Sequence, residues 1–205
     1  MKQIYKLVIT GGPCAGKTTG LGKIKEEMEK EGYKVISIPE TATILISSGG
    51  DLPSFGSRLD FQRNIFAMQK LLEDFYSTKV ANDLPQEKVI VVFDRSLIDN
   101  RAFLSQEDYE AILKENNLSF DSILNRYDAI FHLHTTAKGF AEFYTLENNK
   151  ARTEGVDEAI AQDDRLIECY KDHNYFRMIE SKVNFDDKLN QLIDEIKIFL
   201  NKDKD

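Results

Sequence analysis

Short apolar runs and helical-period stripes alternate along the whole chain. Ile4, Leu7, Val8 and Ile9 form a first run that reads as a buried strand, after which Leu21, Ile24 and Met28 recur at helical spacing. Gly32 stops that helix, and residues 33–39 read as a second strand. A short segment, 41–48, leads to the turn Ser48-Gly49-Gly50-Asp51, and Phe61, Ile65, Met68, Leu72, Phe75 and Tyr76 then trace one face of a long helix. Pro85 closes the next loop. Residues 88–93 form a third run that is apolar on both faces, as a parallel strand covered from both sides should be. Short helices are expected across 96–117 and 121–127, a fourth strand over 129–136 and a fifth over 175–180. Phe185, Leu189, Leu192, Ile193, Ile196 and Leu200 mark a last amphipathic helix. Strands separated by long helical crossovers predict a parallel α/β sheet, whose ligands belong beyond the carboxyl ends of the strands.

The join between the first strand and first helix carries the densest chemistry. Gly11-Gly12-Pro13-Cys14-Ala15-Gly16-Lys17-Thr18 fits GxxxxGK[ST] in the strand–loop–helix context that pattern requires. A phosphate chain must approach several successive backbone N–H groups, and Gly11 and Gly16 remove the Cβ atoms that would block it. The amides then form an anion nest at a helix N-terminus. In that nest Lys17 would reach the β- and γ-phosphates, the Thr18 hydroxyl would hold Mg²⁺, and Thr19 would donate to the α-phosphate.

Composition narrows the setting. The chain has 205 residues, long enough for a full core and expected to form one domain, with 30% charged and 41% apolar residues. A net charge of −8 argues against a nucleic-acid surface, while a local nest works whatever the global charge. No stretch approaches the ~20 apolar residues of a membrane span, and no apolar leader is evident at the N-terminus. Two cysteines, Cys14 and Cys169, are too few for a disulfide framework, so a cytoplasmic location is expected.

Other polar residues fall at predicted strand ends. Asp94 ends the third strand, where a carboxylate can complete a Mg²⁺ shell opposite Thr18, or else cap the next helix. Arg95 would face an anionic substrate or pair with a neighbouring acid. Glu40 ends the second strand and could accept the proton of an attacking hydroxyl, or stand solvated. Gln62, on the long helix, offers a donor and an acceptor to an amide-bearing ring; a surface role is the alternative. Residues 137–165 carry Lys138, Lys150, Arg152 and Arg165 and are expected to act as a lid. Arg152 would meet the developing charge, unless this is a solvated helical face. His132 and His134 share one strand face and are expected to be packed core histidines, since no third ligand stands out in the sequence.

The segments TGGPCAGKTT, PETAT, FDRSLID, YDAIFHL and FYTLENNKARTEG together resemble a family of small P-loop ATP/GTP-binding proteins. That family is labelled AAA-type ATPase-like and is related to the ribosylnicotinamide kinase domain of NadR. The resemblance runs over essentially the whole chain. It implies the nucleoside/nucleotide-kinase branch of P-loop folds, a three-layer α/β architecture with a five-stranded parallel sheet of order 2-3-1-4-5. More distantly, Glu40, Phe61-Gln62 and Asp94-Arg95-Ser96 are similar to deoxynucleoside kinases, in which they imply a base, a nucleobase reader and an acidic-Arg-Ser triplet. Thr41-Ala42-Thr43 departs from the Pro-Val type found there, and residues 137–165 lack closely spaced paired arginines.

The expected activity is Mg-dependent phosphoryl transfer from ATP, with GTP less favoured because no NKxD-type guanine motif is present. The expected acceptor is a small nucleoside-like or hydroxyl-bearing metabolite. A nucleotide-dependent regulatory switch without an acceptor is the alternative. Partners are expected to be the nucleotide and that acceptor, without nucleic acid or integral membrane association; a homo-oligomer is left open.

Overall fold

The structure is a computed structural model and describes residues 2–50, 52–139 and 155–202. Five strands, β1 (Gln3–Thr10), β2 (Lys34–Ile38), β3 (Lys88–Asp94), β4 (Ala129–Leu133) and β5 (Phe176–Ile179), form one sheet of order β2-β3-β1-β4-β5. Every pairing is parallel, with Leu7 opposite both Val92 and Ala129 in the middle of the sheet. The expected fold class and strand order therefore hold.

Alternation along β1 explains the layering. Leu7 and Ile9 face one side, where α1 (Lys17–Lys30) and α8 (Phe185–Lys202) bury Ile24, Met28, Leu192 and Ile196 against the sheet. Val8 faces the other, with Phe66, Phe93, Ile112, Ile123, Leu166 and Tyr170. These come from α3 (Arg58–Asp74), β3, α5 (Gln106–Glu115), α6 (Phe120–Leu124) and α7 (Val156–Tyr170). Helices thus cover both faces, and burial of that apolar surface is the main stabilising contribution.

Local signals set the boundaries. Ser57 and Ser105 accept the Asp60 and Asp108 N–H groups and start α3 and α5, and Ser119 and Ser122 form a reciprocal capping box for α6. The segment expected at 41–48 is a helix, α2 (Thr41–Ser47). The long helix is not continuous to its expected end. It passes into a π turn over Phe75–Val80 and one further turn, α4 (Ala81–Asp83), which shifts the register and leaves Phe75 exposed. The expected helical stretch 96–117 divides into a 3₁₀ turn, Asp99–Phe103, and α5. β4 ends at Leu133 rather than 136, because Thr135 and Thr136 turn their hydroxyls away to the loop after β1.

Candidate functional site

The carboxyl ends of β1, β2, β3 and β4 converge on the loop between β1 and α1, at the point where the strand order reverses on either side of β1. Gly11 has φ 142°, and a Cβ there would stand 2.1 Å from the Leu133 carbonyl oxygen, so the crossing of loop and β4 requires glycine. Cys14 adopts φ 56° and is half-buried, and Gly16, at φ 88°, leads into α1.

Three successive carbonyls of this loop are held from behind. The Thr135 hydroxyl donates to the Pro13 oxygen at 2.5 Å, and the Thr136 hydroxyl to the Cys14 oxygen at 2.7 Å. The buried Lys188 ammonium donates to the Ala15 oxygen at 2.9 Å and the His134 oxygen at 2.6 Å. Burial pushes the pKa of Lys188 down to about 8, the cost of holding a cation here. Carbonyls fixed on one side orient the peptide planes, which is how a loop is preorganised as an anion nest. Thr18 and Thr19 are exposed at the start of α1. Lys17 Nζ lies across the loop, donating to the Gly11 and Gly12 oxygens at 3.0 and 3.1 Å. Burial, reinforced by Arg95, lowers its pKa to about 8.

Asp94 stands beside Lys17 at the end of β3. It is 7% exposed, and its Oδ1 has no hydrogen-bond partner. Burial dominates over the attraction of Lys17 and lifts its pKa to about 6. It caps no helix: Asp99 takes the Ser96 N–H at 2.8 Å instead. An orphaned carboxylate oxygen beside a phosphate loop fits a Mg²⁺ site shared with the Thr18 hydroxyl, a hard oxygen donor set suited to that ion.

Arg95, at φ 68°, is anchored by its N–H to the Ile9 oxygen at 3.0 Å. Its Nε donates to Glu40 Oε1 at 2.5 Å and its Nη1 to Asp99 Oδ1 at 3.3 Å, so it pairs with acids on both sides. Asp99 is fixed in turn by the Thr10 hydroxyl at 2.7 Å and by the Tyr170 hydroxyl. Burial disfavours the charge on Glu40, but Arg95 and Lys17 outweigh it and hold the pKa near about 2. Glu40 also accepts from the Thr43 hydroxyl at 2.7 Å.

A cavity of about 540 Å³ opens between these groups and α2, α3 and α7. Pro13, Lys17, Glu40, Gln62 and Arg95 all line it, so the structure brings those sequence-predicted residues together. Gln62, Gln69, Asn100 and Gln162 add four buried amide side chains to the wall, and Asn100 Oδ1 has no partner. Phe61 and Phe103 give it apolar surface. Arg152 and Lys150 lie outside the described residues. The expected lid segment, 137–165, ends within α7, a regular helix from Val156. His132 and His134 are buried as expected, but a third group, Asp163 on α7, joins them. Nothing local in the sequence singles out Asn100, just after β3, or Thr135, Thr136, Asp163, Gln162 and Lys188, which reach the site from distant segments.

No helix among the described residues is long and apolar enough to cross a membrane. No curated protein matches the sequence. The family model described as AAA domain matches residues 6–188, which takes in the phosphate loop, the acidic strand ends and the supporting Lys188. With its nucleotide-binding P-loop architecture, the chain belongs to the AAA domain family.

Proposed function

We propose that this chain is a Mg·ATP-dependent phosphotransferase acting on a small, uncharged, hydroxyl-bearing metabolite of nucleoside type. The observation that carries the reading is the cavity beside Lys17. A nucleotide switch needs only a loop and a partner surface, whereas a walled space of about 540 Å³ touching Lys17, Glu40 and Arg95 fits a second substrate. Its buried amides, Gln62, Gln69, Asn100 and Gln162, suit a ring with donor and acceptor edges. Its Arg95 is already neutralised by Glu40 and Asp99, which favours a neutral acceptor over a phosphorylated one.

Phosphoryl transfer asks for position and charge neutralisation more than covalent chemistry. Bound magnesium would neutralise charge on the β- and γ-phosphate oxygens, and Thr18 and Asp94 are the residues to hold it. Lys17 would leave the Gly11 and Gly12 oxygens for the phosphates. Glu40, with a pKa near about 2, is a weak base; it orients the acceptor hydroxyl, and its proton is taken late in a loose transition state. Arg152 remains the proposed lid cation. ATP is favoured over GTP because the sequence carries no NKxD motif, and two cysteines without a framework favour the cytoplasm.

The test is an ADP-release screen across nucleosides, nucleoside monophosphates and vitamin-like alcohols, with a control lacking acceptor. Release that depends on an uncharged hydroxyl compound is the expected result. Steady release that no acceptor stimulates would replace the kinase with a regulatory nucleotidase.

A further inference from the structure

Asp163 gathers five nitrogen groups around one carboxylate. It lies on α7 and is fully buried. Its Oδ1 accepts the Gly12 N–H at 2.9 Å and the Thr135 N–H at 3.2 Å, and meets His132 Nε2 at 3.0 Å. Its Oδ2 meets His134 Nδ1 at 2.9 Å and the Lys138 ammonium at 2.8 Å. Lys138 pairs with Asp164 as well, at 2.6 Å. Burial opposes the charge on Asp163, yet the hydrogen bonds from both histidines hold its carboxyl far below the ordinary carboxylate range.

Two histidines and a carboxylate whose ligand atoms lie within 4.8 Å of one another also make the donor set of a metal centre. The surroundings argue for hydrogen bonding. An ammonium occupies the Oδ2 side and two backbone N–H groups occupy the Oδ1 side, so an entering cation would meet positive charge from both directions. Burial lowers the pKa of His132 and so favours the neutral ring, which suits an Nε2–H donor to the carboxylate.

The Gly12 end of this hub is part of the phosphate loop. A Cβ on Gly12 would come within 2.9 Å of Asp163 Oδ1 and 3.2 Å of the Thr135 Cβ, so the glycine exists to let the carboxylate reach the backbone. The Lys138 end joins the two stretches of chain that flank residues 140–154, since residue 138 precedes them and Asp163 and Asp164 follow. We propose that Asp163 is a positioning residue for nucleotide binding: through the Gly12 N–H it sets the shape of the phosphate loop, and through Lys138 it makes that shape depend on how the flanking stretches are held together. Glu158 and Gln162, on the same helix, line the acceptor cavity, so α7 touches both substrates' sites. That last consequence rests on the phosphotransferase reading; the positioning role rests on the phosphate loop alone.

Calorimetric titration with Mg·ADP and Mg·GDP, with the Gly12 amide followed by ¹H–¹⁵N NMR, tests the proposal whether or not an acceptor is ever found. Asp163→Asn should weaken the preferred diphosphate 10- to 100-fold and move the Gly12 resonance. Lys138→Met should weaken it about 3- to 10-fold. The double variant should bind no more weakly than Asp163→Asn alone, because both act through one carboxylate. A folded Asp163→Asn protein within twofold of wild-type affinity would overturn the proposal, as would losses that multiply in the double variant. If Asp163→Asn does not fold, Lys138→Met decides: unchanged affinity with an unmoved Gly12 resonance overturns it. Tight zinc binding to the wild type that Lys138→Met strengthens would also overturn it, in favour of a metal centre.

Discussion

Replacing Asp94 with Asn should stabilise the protein while disabling it. Asp94 is 7% exposed, and its Oδ1 has no partner. Its pKa rises from 3.8 to about 6, with burial as the largest cause and Lys17 only partly offsetting it. A raised folded-state pKa means that the carboxyl's contribution is fully present below pH 3.8 and is lost as pH climbs through 6. At 1.36 kcal/mol per pH unit, the cost of keeping Asp94 ionised approaches about 3 kcal/mol above pH 7, an upper bound because water can relax around it. Asn has nearly the same shape and never titrates. Without ligand, Asp94→Asn should therefore melt higher than wild type at pH 8 by up to about 6–12 °C, at ~2–4 °C per kcal/mol for a chain of this size. At pH 4 the two should melt together. Mg·ADP at a thousandfold excess over Kd should reverse the order, since wild type then gains about 4.1 kcal/mol and the variant gains little. Paired thermal melts at pH 4 and 8, with and without Mg·ADP, provide the assay. A variant no more stable than wild type at pH 8, or equally advantaged at both pH values, would refute the reasoning.

Lys17→Ala should abolish diphosphate binding by calorimetry, and wild-type affinity in that variant would remove the loop from consideration. Glu40→Gln should cut acceptor-dependent turnover by about 10²-fold or more while leaving nucleotide affinity within a few-fold; a regulatory nucleotidase would be little affected, so steady-state kinetics separates the two. Lys188→Met should weaken nucleotide binding roughly tenfold, about the 1.4 kcal/mol of a lost anchor to the Ala15 oxygen, and hydrogen exchange should show residues 12–16 opening faster. Magnesium affinity of the nucleotide complex should fall as pH drops through about 6, because Asp94 must lose its proton to serve as a ligand.

The parts legible in the sequence share one property: their signal is local. β3 is a continuous apolar run over 89–93 and β1 carries Leu7-Val8-Ile9, α1 and α8 repeat at helical spacing, and GxxxxGK[ST] is eight consecutive residues. Glu40 and Arg95 were legible because a strand end in a parallel sheet points to one rim whatever the rest of the chain does. Even so, the sequence left Arg95 open between a substrate and an acid. The structure gives it two acids, Glu40 and Asp99, the second fixed by Thr10 and Tyr170 from two other segments. The end of β4 was misread for the same reason. Residues 134–136 are as strand-like as those before them, and only the carbonyls of Pro13 and Cys14, over a hundred residues away, draw Thr135 and Thr136 out of the ladder.

The residues that support the site nonetheless left a trace, in the wrong colour on the right stripe. Lys188 lies four residues before Leu192 and one before Leu189, on the buried face of α8. Asp163 stands four after Ala159 and three before Leu166, on the stripe that Tyr170 continues. A charge on an apolar stripe is costly unless it is fully paired, so its presence implies partners that the core supplies. Here the partners are the Ala15 carbonyl for the cation and the Gly12 amide for the anion. Both belong to the loop, reached from opposite faces of the sheet: α8 packs with Leu7 and Ile9, whereas Leu166 of α7 packs with Val8. A loop whose backbone must hold one shape without a phosphate in place needs both a donor and an acceptor fixed behind it. The two buried charges meet that need where apolar side chains of similar length would leave the Ala15 oxygen or the Gly12 N–H unsatisfied.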